Sequence, residues 1–209
     1  MFPEYFAGIA TVTAIAMVMV ISPGQDFAMI SRNSLLYSRK AGLMGALGIS
    51  AAVWLHVTYS LAGIAFIILH TPVLYGAIKY TGAAYLAYLG IKALFSKKEG
   101  SNSTEIKEKS EAISNFTAFR AGFISNALNP KTTLFFLSIF TQVVTVDTPL
   151  SIQVLYGVII SIAHLIWFSL VAYLLSTKAV LRKVDKVKVW VERVMGTMLC
   201  LLASKIALT

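Results

Sequence analysis

Long apolar runs separated by short polar stretches dominate the chain, without the strict two-residue alternation of an outer-membrane β-barrel, so the pattern predicts helices. Crossing the hydrocarbon core takes about 20 apolar residues, and six segments reach that length, at roughly residues 5–31, 43–69, 72–95, 117–144, 150–176 and 188–208. The expectation is an all-α, polytopic membrane protein with six transmembrane helices. Residues 96–116 interrupt the series with Ser, Asn, Lys and Glu, too polar to pack, and read as a cytoplasmic linker or a short surface helix. The chain then divides into a first three-helix repeat (1–95), the linker (96–116) and a second three-helix repeat (117–209). Three crossings per half start the second half on the opposite face, which makes the repeats inverted.

Two of the apolar runs are broken at matching places. Ser22-Pro23-Gly24-Gln25-Asp26 interrupts the first helix of one half, and Asn126-Ala127-Leu128-Asn129-Pro130-Lys131 interrupts the first helix of the other. Proline lacks a backbone donor, and in hydrocarbon the carbonyls it frees need partners. Paired breaks in corresponding positions of two halves point to a transporter's central binding site. The spacing agrees: Pro23 precedes His56 by 33 positions and Pro130 precedes His164 by 34. Third helices compare less clearly; Lys79 to Gly82 resembles Arg193 to Gly196, while a competing alignment sets Arg39 to Leu43 against Phe119 to Phe123.

Composition supports the membrane reading, with 57% hydrophobic and 13% charged residues, the latter gathered in a few short stretches. Arg32, Arg39 and Lys40 follow the first segment; Lys97, Lys98, Lys107 and Lys109 the third; Lys178, Arg182, Lys183, Lys186 and Lys188 the fifth. The alternate connections carry no Lys or Arg. Lys and Arg are retained on the cytoplasmic side of short loops, so both termini are expected outside the cytoplasm. The net charge of +9 is then mostly topology, and no aromatic-interleaved basic platform suggests nucleic acid. Segment one lacks the basic start of a signal peptide and is expected to stay attached. Cys200, the single cysteine, allows no internal disulfide.

Charges within a bilayer cost at least about 2.5–3.5 kcal/mol and require a partner, a cavity or a route to the interface. Asp26 and Lys131, one to three residues past their prolines, are the two that need explaining. Either they form a substrate or proton site or they are a structural ion pair between the halves. A broken helix exposes amides at its new N-terminus and carbonyls at the end before the break, the groups that a zwitterion requires. Gly24 permits close approach, the amides after Pro23 and Pro130 offer a carboxylate site, and Asp26 or the freed carbonyls offer an ammonium site. Gln25, Asn126 and Asn129 add neutral hydrogen bonds at the same level. His56 and His164 read equally as proton carriers or as packed interhelical hydrogen-bonding groups. The glycines at 42, 45 and 48 have the spacing of a close helix contact. No phosphate loop, paired-His zinc motif or nucleophile elbow is present, so the chain does not read as an enzyme and implies no cofactor and no metal.

The strings Ser22-Pro23-Gly24-Gln25-Asp26, Ser38 to Leu43 with Ala46-Leu47-Gly48, Gly82 to Gly90, and Phe119 to Phe123 through Asn129-Pro130-Lys131 resemble the LysE/RhtB group of bacterial amino-acid exporters. The likeness runs over most of the chain. It departs at Gln25 and before Gln142, where members of the group often carry proline. The resemblance implies export of amino acids or close derivatives across the bacterial inner membrane, driven by the proton motive force, with the proline-glycine and Asn-Pro-Lys regions important to transport. The partners implied are a small amino acid, protons and membrane lipids, with no nucleic acid; homo-oligomerisation is left open. The rival readings are a non-transporting membrane scaffold or sensor and an exporter of another small metabolite.

Overall fold

A computed structural model describes residues 2–70, 72–95, 112–145, 148–175 and 178–208. Among these the secondary structure is entirely helical: α1 (Phe2–Ile21), α2 (Gln25–Leu36), α3 (Arg39–His70), α4 (Pro72–Leu94), α5 (Asn115–Ala127), α6 (Pro130–Val143), α7 (Leu150–Leu174) and α8 (Lys178–Leu208). The first apolar segment is divided between α1 and α2, the fourth between α5 and α6, as the prolines require. α1 and α2 meet at 54°. By length and hydropathy alone, Arg39–Gly63 and Leu150–Leu174 are long and apolar enough to cross a membrane, and the bent pair Tyr5–Ile21 with Gln25–Leu36 makes a third.

Two boundaries differ from the sequence expectation. The first segment continues past residue 31 to Leu36, and the last helix begins at Lys178 rather than near 188. No proline or glycine lies between 178 and 195, and Val180, Val184, Val187 and Val191 repeat at helical spacing, so nothing stops the helix there. Of the expected linker, residues 96–111 lie outside the described residues. Its end is marked by Ser114, whose hydroxyl accepts from the Thr117 amide at 3.0 Å and caps α5.

α3 lies at the centre, in contact with α2, α4, α5, α6 and α7, and α4 packs on α8. Several contacts pair like with like. Across α3 and α7, the Ser50 hydroxyl donates to the Ser161 carbonyl at 3.1 Å, the Ser161 hydroxyl donates to the Ser50 carbonyl at 3.0 Å, and the two hydroxyls lie 2.8 Å apart. Across α4 and α8, a Cβ on Gly90 would come within 2.8 Å of the Gly196 carbonyl oxygen, and one on Gly196 within 2.6 Å of the Gly90 carbonyl oxygen. Gly196 thus meets Gly90, while Gly82 packs against Ser138.

The tightest approach joins α3 to α5. A Cβ on Gly122 would overlap the Gly45 carbonyl, and one on Gly48 would overlap the Phe119 carbonyl. The small-residue run therefore serves as expected, letting two backbones touch. Two apolar cores flank this contact. One gathers Val12, Phe135, Phe136, Ile139, Phe140, Tyr156 and Ile160; the other gathers Val20, Ile30, Ala46, Ile49, Phe168 and Ala172. Phe6, Leu55, Ile166, Leu170 and Leu201 face outward, an arrangement suited to lipid as solvent.

Gly122→Val is expected to lower the thermal midpoint of the detergent-purified protein sharply or prevent folding, since overpacking costs about 1–3 kcal/mol even where neighbours yield and here the obstacle is backbone. Gly63→Ala, with nothing within 4 Å of the added carbon, is expected to leave the midpoint unchanged or raise it slightly. Equal midpoints for the two variants would contradict the packing described.

Candidate functional site

The site forms where the two breaks face each other. At the first, the Ser22 amide still donates to the Val18 carbonyl at 3.2 Å, but the next position is Pro23. A helical carbonyl expects the amide four residues on. For Met19 that residue is Pro23, which has no N–H, so its carbonyl is orphaned. The Lys131 ammonium supplies the missing donor, at 3.3 Å from the Met19 oxygen and 2.9 Å from the Ser22 oxygen.

The second break obeys the same logic. Asn129 is the N-cap of α6, its side-chain oxygen accepting from the Lys131 amide at 3.0 Å, and Pro130 occupies the first turn, where a missing N–H costs nothing. Four residues before Pro130 lies Asn126, whose carbonyl loses its helical donor. That carbonyl accepts from the Asn129 amide at 3.0 Å and from His56 Nε2 at 3.1 Å. Each proline-orphaned carbonyl is therefore served by a side chain from the other half of the chain.

Asp26 is bound in the same reciprocal way. It is 5% exposed, in the first turn of α2. Ser125 donates to Oδ1 at 2.7 Å, and Asn126 and Asn129 donate to Oδ2 at 2.9 and 3.1 Å. Ser125 and Asn126 close α5 and Asn129 caps α6, so three donors meet the carboxylate. Asn129 works twice, capping α6 with its oxygen and holding Asp26 with its nitrogen. Asn126 also approaches Thr132 Oγ1 at 3.4 Å, while its own Oδ1 is buried without a donor. Gln25 Nε2 donates to the Ser125 carbonyl at 3.2 Å.

Of the two alternatives for Asp26 and Lys131, a structural ion pair is not what the structure forms. Asp26 and Lys131 share the site but form no direct ion pair: the carboxylate is taken by hydroxyl and amide donors, the ammonium by carbonyls. The physical reason is local, because each charge reaches a helix end whose unmatched backbone or capping residues already offer the complementary groups.

The two histidines do different work. His56 is fully buried, stacked on Phe136 at 5.2 Å between ring centres, and its Nδ1 meets the Tyr59 hydroxyl. A carbonyl only accepts, so Nε2 carries the proton toward Asn126 and the ring is a packed interhelical donor. His164 is 1% exposed and donates from Nδ1 to the Ile160 carbonyl at 2.8 Å. That leaves Nε2 as an acceptor on a ring that lines the cavity.

This cavity measures about 10 Å³, the scale of one water position, and is bordered by Met19, Ser22, Gly24, Gln25, Asp26, Asn129, Lys131 and His164 among others. Gly24 caps α2 with an extended backbone (φ −167°) and no side-chain cap, and a Cβ there would sit 3.6 Å from Lys131 Nζ. Nothing in the protein itself crowds that position, so its bareness widens the cavity instead of relieving strain. A larger cavity of about 200 Å³ between α1 and α8 is bordered by Ala14, Ile15, Val18, Met198 and Leu199, all apolar, and has nothing to hold a polar ligand.

Of the residues expected at the site, Pro23, Gly24, Gln25, Asp26, Asn126, Asn129, Pro130 and Lys131 converge, His164 borders the cavity, and His56 stands behind Asn126. Sequence reasoning missed Ser125, Thr132, Tyr59 and the specific carbonyls of Met19 and Ser22. The i−4 rule applied to each proline would have found Met19; the spacing 125, 126, 129 was the available signal for Ser125.

A helical bundle with apolar outward faces is the architecture of an integral membrane protein. The family model for LysE type translocators matches residues 17–209, and the chain belongs to that family. It is 30% identical over 191 residues to the uncharacterized membrane protein YrhP of Bacillus subtilis (strain 168), covering 88% of this chain and 91% of that protein. It is 27% identical over 188 residues to the threonine efflux protein of Escherichia coli (strain K12), covering 90% and 91%. It is 35% identical over 138 residues to the leucine efflux protein of Salmonella choleraesuis (strain SC-B67), covering 64% and 62%. No solved structure matches the chain.

Asp26→Asn turns one acceptor into an NH₂ group facing the Ser125, Asn126 and Asn129 donors and is expected to cost about 1–3 kcal/mol in unfolding free energy. His56→Phe keeps the stacking but removes the donor to Asn126, with an expected loss of similar size, about 1–3 kcal/mol. Chemical denaturation in micelles measures both; a His56→Phe variant as stable as wild type would remove His56 from the network.

Proposed function

We propose that this protein is a proton-motive-force-driven exporter of amino acids, or close derivatives, in the bacterial inner membrane. The substrate binds near the bilayer midplane between two inverted three-helix repeats (1–95 and 117–209), six spans in all, with both termini outside the cytoplasm. The observation that carries this reading is the reciprocal clasp around one small cavity: Asp26 of the first half held by Ser125, Asn126 and Asn129, and Lys131 of the second half held by Met19 and Ser22. A purely architectural bundle has no need of two buried charges at two broken helices. Family membership and the efflux named in two relatives support the cargo class. The matching breaks at Pro23 and Pro130, each followed by a histidine 33 or 34 positions on, support a two-fold relation between the halves. One-sided loop charges support the orientation.

In this mechanism the zwitterion's ammonium goes to Asp26 or to the carbonyls ending α1, and its carboxylate to Lys131 and the open amides of α2. A cavity of about 10 Å³ does not admit an amino acid, so binding requires the halves to part. That requirement links occupancy to the rocking of one repeat against the other. Protons enter the same charge balance at Asp26 and at the cavity-facing nitrogen of His164, so a proton entering from one side offsets a substrate leaving toward it.

A radiolabelled amino-acid panel in proteoliposomes, with and without an imposed pH gradient, tests the proposal. Transport of at least one member, accelerated by the gradient, is expected; transport of none would favour a scaffold. An Asp26→Asn, Lys131→Met double variant is expected to lose counterflow, and normal counterflow would reject those roles. His164→Phe is expected to keep counterflow while losing uphill, gradient-driven movement, a separation that a merely structural histidine would not produce.

A further inference from the structure

We propose that the Lys131 ammonium is a built-in occupant of the subsite that receives the substrate's own α-ammonium, so that substrate binding displaces Lys131 from the α1 carbonyls and frees the second half from the first. This rests on the export reading above and specifies what the cation subsite is made of. Met19 and Ser22 present carbonyl oxygens at the C-terminal end of α1, where the helix dipole is negative, and Pro23 has removed the amide that would otherwise satisfy Met19. A lysine side chain and a free amino acid end in the same group, a primary ammonium with three N–H donors. What binds one there binds the other.

The comparison of the two breaks identifies which carbonyls are exchangeable. At the second break the donor is His56, fully buried and stacked on Phe136, with both ring nitrogens engaged. Nothing can replace it without unpacking a core. At the first break the donor is the tip of a flexible four-carbon chain that borders the cavity, beside Gly24, whose bare Cα leaves Nζ room to move. Only the first break can exchange its cation for one from outside.

Displacement conserves the charge balance. The incoming ammonium takes the carbonyls of Met19 and Ser22, and Lys131, still charged, pairs with the carboxylate that arrives on the same molecule. No charge is left alone in hydrocarbon. The exchange also cuts the hydrogen bonds from Lys131 of α6 to α1, so filling the site and loosening the two halves are one event. The subsite therefore takes compounds with a free primary ammonium beside a carboxylate, and refuses N-acyl and quaternary ammonium derivatives, which lack the three donors.

The test vacates the subsite in the full-length protein, purified in detergent, and reads thermal unfolding by tryptophan fluorescence. Lys131→Ala is expected to unfold several degrees below wild type, and n-propylammonium chloride to restore the midpoint saturably, whereas tetramethylammonium and n-propanol do not and wild type does not respond. Absence of restoration, or equal restoration by either control, overturns the proposal. Should Lys131→Ala not fold, Lys131→Cys in a Cys200→Ser background is modified with aminoethyl or with ethyl methanethiosulfonate. Restoration by the aminoethyl adduct alone supports a cation subsite, and equal effects overturn it. Threonine and leucine are expected to compete with n-propylammonium in Lys131→Ala, and their N-acetyl forms not to. If they are transported in proteoliposomes yet do not compete, the shared subsite falls and the export reading stands; if no amino acid is transported, the export reading falls while the propylammonium result still decides whether a cation subsite exists.

Discussion

Two carbonyl oxygens that have lost their helical donors organise this protein. Pro23 orphans Met19 and Pro130 orphans Asn126, and in a low-dielectric interior an unpaired carbonyl costs several kcal/mol on transfer scales, roughly 2–7. Each receives a side chain from the opposite half: Lys131 for Met19, and His56 for Asn126, whose carbonyl also accepts from the nearby Asn129 amide. The halves are thus held together at the points where each is locally incomplete.

The same incompleteness explains the buried charges. Lys131 is useful inside because it reaches a helix end rich in acceptors, and Asp26 because the end of α5 and the cap of α6 offer it donors. Direct pairing of the two would have left the carbonyls of Met19 and Ser22 without Lys131 and the three donors unused. Indirect clasping satisfies all of them and leaves a cavity between. Glycine contacts between α3 and α5 bring these groups within reach, since the backbones touch where Gly45, Gly48 and Gly122 remove side chains.

Local equivalence of the two breaks does not make them equal. His56 closes one with a buried, stacked ring, and Lys131 closes the other with a four-carbon side chain that borders the cavity. His164, at the spacing in the second half that His56 has in the first, faces the cavity in place of supporting a break.

Much of this was legible in the amino-acid order. Apolar run lengths and proline positions are local properties, so the helices, the two breaks and the residues beside them followed from the sequence, and the strings around Pro23 and Asn129 to Lys131 carried the family. Helix ends were less accurate at 178–188, where a basic stretch looks like a loop but keeps a helical apolar repeat. What the sequence could not determine was partnership. That Asp26 binds amide donors and not Lys131, that His56 and His164 differ in role, and that Gly196 meets Gly90 depend on how helices far apart in the chain cross one another. Composition and spacing specify which groups need partners; only three-dimensional packing decides which partner is within hydrogen-bonding distance.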